Sequence, residues 1–320
     1  MTLSTDMQVR VTEIEQVTDR IKRFRFERTD GAPMPGFSAG SHTVVIMRTG
    51  HQVRRNPYSL MGSPFDNSCY QISVLRTEDS RGGSSYMHEQ VHVGSELEIT
   101  QPLNMFPVER AARKHIFISG GIGVTPLMSM AEILHKEDQL FEMHYAMRTE
   151  TSGAFWKDLK SRYGHRVHLY FDEKQQTLPL HRLLENQPLG THIYVCGPSP
   201  MIDWVLKSAR EAGWPDENVH SERFTTPPTG KPFTVELTQS NKTIEVGEFQ
   251  SVLEAIEAAG VNPPYLCRGG ACGQCESRVL SCDGTLEHND HYLTDEEKQS
   301  GEKFMICVSR IKGQKLVLDL

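Results

Sequence analysis

Nowhere in the 320 residues is there an unbroken apolar run of about 18 residues, the length a membrane-crossing helix needs. The stretch Met1–Met7 is polar and has no apolar signal core, so a cytoplasmic protein with no membrane partner is expected. Clustered Lys and Arg are missing as well. With 34 basic against 41 acidic residues the formal charge is −7, which offers no electrostatic footprint for nucleic acid. No internal repeat or low-complexity stretch occurs, so a solenoid is excluded.

A composition of 38% hydrophobic and 23% charged residues suits folded domains, and the length suits two or three of them. The 7 cysteines are an odd number, which argues against a simple secreted disulfide framework. In a reducing compartment clustered cysteines more often hold metal or do redox work. Cys69 and Cys196 stand apart; Cys267, Cys272, Cys275, Cys282 and Cys307 all fall in the last quarter.

Two composition breaks divide the chain. One lies near Pro107–Lys114, the other at Thr225–Pro232, where three prolines and a glycine exclude a helix or a central strand. The expected division is a first domain over 1–110, a second over 111–226, a linker over 227–232 and a third domain over 233–320. The first has short alternating runs (Met7–Val11, Ile21–Phe26, His42–Met47, Tyr70–Val74, Glu96–Thr100), the pattern of an antiparallel barrel, with a short helix at Ser84–Gln90. The second alternates apolar runs (His115–Ser119, Glu142–Ala146, His168–Phe171, His192–Cys196) with helical patterns, which predicts a parallel sheet flanked by helices. The third opens with strands Phe233–Thr238 and Lys242–Val246 and a helix Ser251–Ala259, and closes on a strand near Lys315–Asp319.

Cys267, Cys272, Cys275 and, some thirty residues on, Cys307 have the C-x4-C-x2-C…C spacing of a plant-type [2Fe–2S] cluster. Three thiolates must converge from one tight loop, and Gly269, Gly270 and Gly273 permit the positive φ and close N–H approach this needs. A structural zinc site is the alternative, but it usually shows matched cysteine or histidine pairs, and no second pair follows. Cys282 sits too near Cys275 to reach across the cluster and is read as a bystander.

After the strand His115–Ser119 comes Gly120-Gly121-Ile122-Gly123-Val124-Thr125-Pro126, a glycine turn into a helix. Helix-start N–H groups favour a dinucleotide pyrophosphate. Thr125 suits the N-cap and Pro126 the first helical position. A close-packed strand–helix corner would explain the glycines equally well. A second strand end, Cys196-Gly197-Pro198, points at the same sheet edge, although Cys196 also reads as a small buried apolar residue. Asp172 and Glu173 follow the third strand of that sheet. Carboxylates there accept from an adenosine ribose and repel a 2′-phosphate, or else begin a polar surface loop. Arg148, after the preceding strand, is a second ribose or pyrophosphate candidate.

In the first domain, the turn around Arg55, Asn56, Tyr58 and Ser59 offers a ring to stack on a planar cofactor and a short donor at its edge. Arg81-Gly82-Gly83-Ser84 opens the short helix and offers a cation and N–H groups to a phosphate. Taken alone, the favoured reading is a surface turn with a solvated arginine.

Together these residues resemble the phthalate dioxygenase reductase family, within the ferredoxin–NADP⁺ reductase superfamily, over essentially the whole chain. Within it they look closest to reductases serving Rieske-type monooxygenases of carnitine-like quaternary amines. The resemblance implies a multidomain fold: an antiparallel β-barrel flavin domain, an α/β parallel-sheet nucleotide domain and an α+β (β-grasp) plant-type ferredoxin domain. It implies FMN, with its phosphate at Arg81-Gly82-Gly83-Ser84 and its ring beside Tyr58 and Ser59. Asn56 stands where the family has arginine, and Arg55 is the neighbouring cation. Gly120, Gly121, Gly123, Thr125, Pro126, Cys196, Gly197 and Pro198 match the nicotinamide motifs. Phe224 matches the aromatic near the flavin, so Ser59, Cys196 and Phe224 become the catalytic positions. Cys267, Cys272, Cys275 and Cys307 match the cluster ligands.

The implied task is electron splitting: NADH gives two electrons as a hydride, a [2Fe–2S] cluster takes one, and a flavin mediates between them. The implied partner is a Rieske-type oxygenase. A redox sensor would not need a nicotinamide domain, and a reductase of small molecules would not need a ferredoxin domain. For an autonomous oxygenase no His/His/carboxylate spacing is evident among the 14 histidines. His88, His288 and His291 are expected at the surface. An acidic patch of Asp290, Asp295, Glu296 and Glu297 is expected to meet the partner.

Overall fold

Alternating side chains and glycine-bounded turns resolve into two compact units, one of 1–50 with 58–223 and one of 51–57 with 224–320. The computed structural model describes residues 6–49, 52–78, 81–225 and 227–320. Most of Met1–Met7, together with Asp79, Ser80 and Thr226, lies outside the described residues.

The chain begins with an antiparallel barrel sheet built from β1 (Asp6–Thr18), β2 (Ile21–Arg28), β3 (Ser41–Thr49), β4 (Gln52–Ser59), β5 (Tyr70–Leu75), β6 (Glu96–Thr100) and β7 (Leu103–Asn104). Its order is β4-β3-β6-β1-β2-β5, with β7 beside β3. Helix α1 (Gly83–Glu89) follows β5. Val9, Val11, Phe24, Phe26, Val45, Met47, Ile72, Val74 and Ile99 point inward and form one apolar core. Each contributes about 1.5–3 kcal/mol when fully buried. Strand β1 extends well beyond the expected Met7–Val11. Register shifts at Val11/Glu13 and Gln16/Thr18 break its alternation, so its second half does not read as a strand. The expected turn at Arg55–Ser59 is instead the end of strand β4. Pro57 hid it, since proline is tolerated only where a strand needs no ladder donor, and β4 ends the sheet order.

The parallel sheet comprises β8 (Lys114–Gly120), β9 (Phe141–Met147), β10 (Val167–Phe171), β11 (Thr191–Cys196) and β12 (Val219–Glu222), in the order β10-β9-β8-β11-β12. Helices α2 (Val124–Lys136), α3 (Trp156–Tyr163), α4 (Leu180–Leu184) and α5 (Ser199–Glu211) alternate with these strands. One face packs Phe117, Leu127, Leu134, Met143, Tyr145 and Leu159; the other packs Ile116, Ile118, Leu180, Ile193, Val195, Ile202 and Val205. From β8 the chain winds outward through β9 and β10, then returns to β11 on the other side of β8. The switch point therefore lies between β8 and β11, and open α/β sheets bind ligands at the carboxyl ends of such strands.

The second unit continues with β13 (Phe233–Leu237), β14 (Lys242–Val246), α6 (Val252–Ala258), β15 (Glu276–Cys282), β16 (Thr285–Glu287), α7 (Asp295–Ser300), β17 (Lys303–Met305), β18 (Arg310–Lys312) and β19 (Lys315–Leu318). Sheet order is β14-β13-β19-β15-β17, with β13 and β19 parallel and β16 paired only to β18. A capping box starts α6: Glu254 N–H donates to Ser251 Oγ at 3.1 Å, and Ser251 N–H donates to Glu254 Oε2 at 2.8 Å. Part of the expected linker is pinned. Buried Arg310 donates to the carbonyls of Gly230, Lys231, Gly247 and Gln250.

Candidate functional site

The cysteine loop lies between α6 and β15, and Cys307 sits in the turn between β17 and β18. All seven cysteines are free thiols. Cys267, Cys275 and Cys307 are buried and Cys272 half-buried. The thiols associate in pairs, Cys272 with Cys267 and Cys275 with Cys307. Gly269 and Ala271 each donate a backbone N–H to Cys267 Sγ at 3.4 Å. Such donors favour a thiolate over a thiol, so this loop fits an anionic cluster. The left-handed positions are Arg268 (φ +53), Gly270 (φ +72) and Gly273 (φ +76), not Gly269. A Cβ on Gly273 would lie 2.3 Å from the Tyr292 ring, and one on Gly270 would lie 2.7 Å from Val308. Arg268, the one side chain there that must accept positive φ, is held by Glu257 at 2.9 Å and by the Tyr265 ring at 3.9 Å. Glu257 also takes Arg55 at 3.7 Å, so the cation expected beside the flavin is paired on α6.

At the switch point the two strand-end turns press backbone against backbone. A Cβ on Gly123 would lie 2.3 Å from the Cys196 carbonyl oxygen, and one on Gly120 would lie 2.7 Å from Pro198. Gly197 approaches the Gly120 nitrogen within 2.9 Å of its own would-be Cβ. Tyr145 donates its hydroxyl to Gly121 O at 2.9 Å and so fixes the turn. Thr125 is not the N-cap. A short 3₁₀ turn, Gly121–Gly123, precedes α2, so Gly123 caps it and Pro126 falls at the third helical position. The Thr125 hydroxyl donates back to Ile122 O at 3.0 Å.

Ser59, at the end of β4, is buried, and so is Cys196 at the end of β11. Beside Cys196 in register stands Glu222 on β12, a residue that sequence reasoning missed. Its only sequence signal was its place two residues before Phe224, on a strand of four residues. Ser59 Oγ and Glu222 Oε2 are buried, lie close to each other and find no other hydrogen-bond partner among the described residues. Buried polar atoms left open at a strand-end crevice mark a place for a polar ligand edge. Burial pushes the Glu222 carboxyl up to about 8, opposed by the nearby Ser59 hydroxyl. Burial and then Glu222 raise the Cys196 thiol well above its ordinary range.

The protonation state of Glu222 sets a stability trend. Below its ordinary value of 4.5 the carboxyl is neutral whether folded or not. Above that, only the unfolded chain ionises until pH reaches about 8, so stability falls as pH rises through this window. Glu222→Gln is expected to unfold like wild type at pH 5 and to be more stable at pH 9 by roughly 2–4 kcal/mol. Urea unfolding at the two pH values checks this. A variant less stable at pH 9 contradicts it.

In the barrel, Tyr58 packs partly against the core. Arg81 and Ser84 are buried. Gly82 takes φ +101 as the N-cap of α1, with no side-chain cap. At the far edge Arg148 and Asp172 are exposed. Glu173 accepts from the Glu150 N–H at 2.7 Å. Phe224 is 48% exposed.

Three surface expectations fail. The His288 side chain is only 9% exposed and lies 3.7 Å from Asp290. His88 is buried, its Nε2 2.9 Å from Val74 O. Asp290 is buried as well and accepts from Leu293 N–H at 2.9 Å, so it belongs to the cysteine loop's support and not to an acidic patch. Glu297 caps α7 and pairs with Lys303; Asp295 and Glu296 are exposed. No helix among the described residues is long and apolar enough to cross a membrane.

Residues 101–219 match the family model of the dimethylamine monooxygenase subunit DmmA-like N-terminal domain, and 235–312 that of the 2Fe-2S iron-sulfur cluster binding domain. The chain is 44% identical to a carnitine monooxygenase reductase subunit of Acinetobacter baumannii, over 97% of this chain and 96% of that protein. It is 42% identical to the heme-dependent oxidative N-demethylase beta subunit of Ectopseudomonas mendocina, over 99% and 100%. Among solved structures, phthalate dioxygenase reductase, described as a modular structure for electron transfer from pyridine nucleotides to [2Fe–2S], superposes with a TM-score of 0.89. That match has 32% identity and covers 98% of both chains.

Proposed function

We propose, for a chain that belongs to the family of oxygenase reductase subunits, that it takes electrons from NADH and delivers them singly, through a [2Fe–2S] centre, to a separate oxygenase protein. It is an oxidoreductase. The observation that supports this reading most is the coexistence on one chain of four clustered thiols, three from one loop and one from a separate turn, and a glycine-lined switch point. When bound, FMN supplies the exchange of a two-electron donor for a one-electron acceptor.

The chain's own residues do the positioning. Cys267, Cys272, Cys275 and Cys307 would hold the cluster, with the Gly269 and Ala271 N–H groups tuning it. Arg81, Gly82, Gly83 and Ser84 would hold the flavin phosphate, and Tyr58 would flank the ring, with Asn56 nearby in the chain. Gly120, Gly121 and Gly123 would admit the pyrophosphate, helped by Thr125, Pro126, Gly197, Pro198 and Arg148. Asp172 would accept from the ribose, which favours NADH over NADPH. Ser59, Cys196 and Glu222 would line the reacting edge, where the neutral Glu222 carboxyl can hold a proton at Oε2, and Phe224, two residues on, is the family's aromatic near the flavin. Domain limits of 1–110, 111–226 and 233–320 follow from this division of labour. Seven free thiols suit the reducing cytoplasm.

The partner is read as a Rieske-type oxygenase of the carnitine monooxygenase kind. A second reading is a haem-dependent demethylase, favoured by the DmmA-like match over 101–219 and the N-demethylase relative. Steady-state NADH oxidation, dependent on both substrate and partner, decides between them when each purified oxygenase is added in turn. Stimulation by neither sinks both. FMN is checked by denaturing the purified protein and chromatographing the released flavin; an FAD peak overturns that assignment.

A further inference from the structure

Away from the cofactor edge, near the amino ends of β9 and β10, three metal-binding side chains share one face of the parallel sheet. Glu142 and His144 are two apart on β9, so the strand's period of two puts them on one side. His168 on β10 is the register partner of His144. One ligand atom from each lies within 4.8 Å of the others. Glu142 is half-buried, His144 buried and His168 exposed.

We infer that Glu142, His144 and His168 form a binding site for a late first-row divalent cation of the zinc class. Three features argue for it. The buried Nε2 of His144 has no hydrogen-bond partner and lies 3.7 Å from Glu142 Oε1. Its other nitrogen, Nδ1, is 2.9 Å from the Tyr170 hydroxyl, an outer partner able to accept the Nδ1 proton of a metal-ligating imidazole and so leave Nε2 for the ion. Two imidazoles and a carboxylate leaving a fourth position to water are a donor set that zinc accepts. Two features oppose it, and both can yield. The His144 and His168 rings stack at 4.6 Å with planes 7° apart, so the exposed His168 must turn for its lone pair to converge. Lys114 Nζ lies 3.1 Å from Glu142, but it is also held by Gln187 at 2.9 Å, so it can leave the carboxylate to the ion.

The site would tie β9 to β10 some distance from the flavin and nicotinamide residues, so it is separable from electron transfer. Zinc ion is titrated into the cofactor-loaded protein by calorimetry, with the cluster's visible absorbance followed to verify that it stays intact. One zinc per chain is expected beyond the cluster metal, with a rise in the unfolding temperature at saturating zinc. His168→Ala is expected to weaken zinc at least about 10-fold, and Glu142→Gln comparably, while NADH-driven dye reduction without added zinc stays at wild-type level. Cobalt(II) in place of zinc is expected to give visible d–d bands in wild type that His168→Ala loses. The inference is overturned if wild type takes up no additional zinc. Uptake unchanged in both variants, which would place the ion elsewhere, overturns it too.

Discussion

Replacing Cys307 with serine is expected to destroy or strongly shift the cluster's visible and EPR signals and to cut reduction of a one-electron protein acceptor by more than about 100-fold, beyond the 10–100-fold typical of losing an outer partner of a metal site. Cys307 is 2% exposed and lies among Met305, Ile306 and Val308, beside Cys275. A hydroxyl there is a poorer, harder ligand than the thiolate, and left unligated it is a buried polar group, a cost of about 1–3 kcal/mol. NADH-driven reduction of a dye that accepts from the flavin should continue, because the residues assigned to flavin and nucleotide are elsewhere in the chain. Cys282→Ser is the control. Cys282 sits half-buried at the end of β15, where its backbone pairs with Leu316. Its replacement should leave the spectrum unchanged. Loss or a strong shift of the signals in Cys282→Ser and not in Cys307→Ser would overturn the ligand set.

The second large effect concerns the switch point. Gly123→Ala is expected to lower kcat/KM for NADH by about 100-fold or more, because a displacement of about 1 Å at a positioned site costs that much. The new methyl would meet the Cys196 carbonyl oxygen at 2.3 Å, its carbon at 2.5 Å and the Gly197 nitrogen at 2.6 Å. All three are backbone atoms, so one turn must move away from the other. Gly121→Ala separates this from a general intolerance of side chains. Its Cβ would meet nothing within 4 Å, and its φ of +54 costs an L-residue only about 1–2 kcal/mol. A milder loss is therefore expected there. The cluster spectrum should be untouched in both. Equal activity of Gly123→Ala and wild type would mean that the turns do not form the nucleotide seat.

Much of this was legible in the sequence because the strongest signals are local. The C-x4-C-x2-C spacing, the glycine turn after an apolar strand, and the alternation of strands with helices all lie within a few residues of one another. What escaped depends on long-range pairing. Strand β12 is four residues long and exists because Ile193–Cys196 gives it a parallel partner, so Glu222 beside Cys196 had no local signature. Pro57 concealed β4, and the bulges in β1 concealed its second half. The N-cap was misplaced because Thr125 is a good capping residue in isolation, whereas the glycines before it form a 3₁₀ turn that starts the helix early. Gly269 was credited with a left-handed backbone that Arg268 in fact adopts, a strain that only the Glu257 and Tyr265 contacts make tolerable. Asp290 counted as surface charge until the fold buried it.

The central claim is that electrons from NADH reach the four-cysteine centre within this chain before they leave it. Anaerobic addition of NADH to the purified, cofactor-loaded protein, followed by rapid freezing and EPR, tests it without any partner. A paramagnetic signal of a reduced [2Fe–2S] cluster, growing in as the flavin absorbance changes and lost or strongly shifted in Cys307→Ser, is the expected result. Oxidation of NADH with the flavin reduced and the cluster left fully oxidised would contradict it.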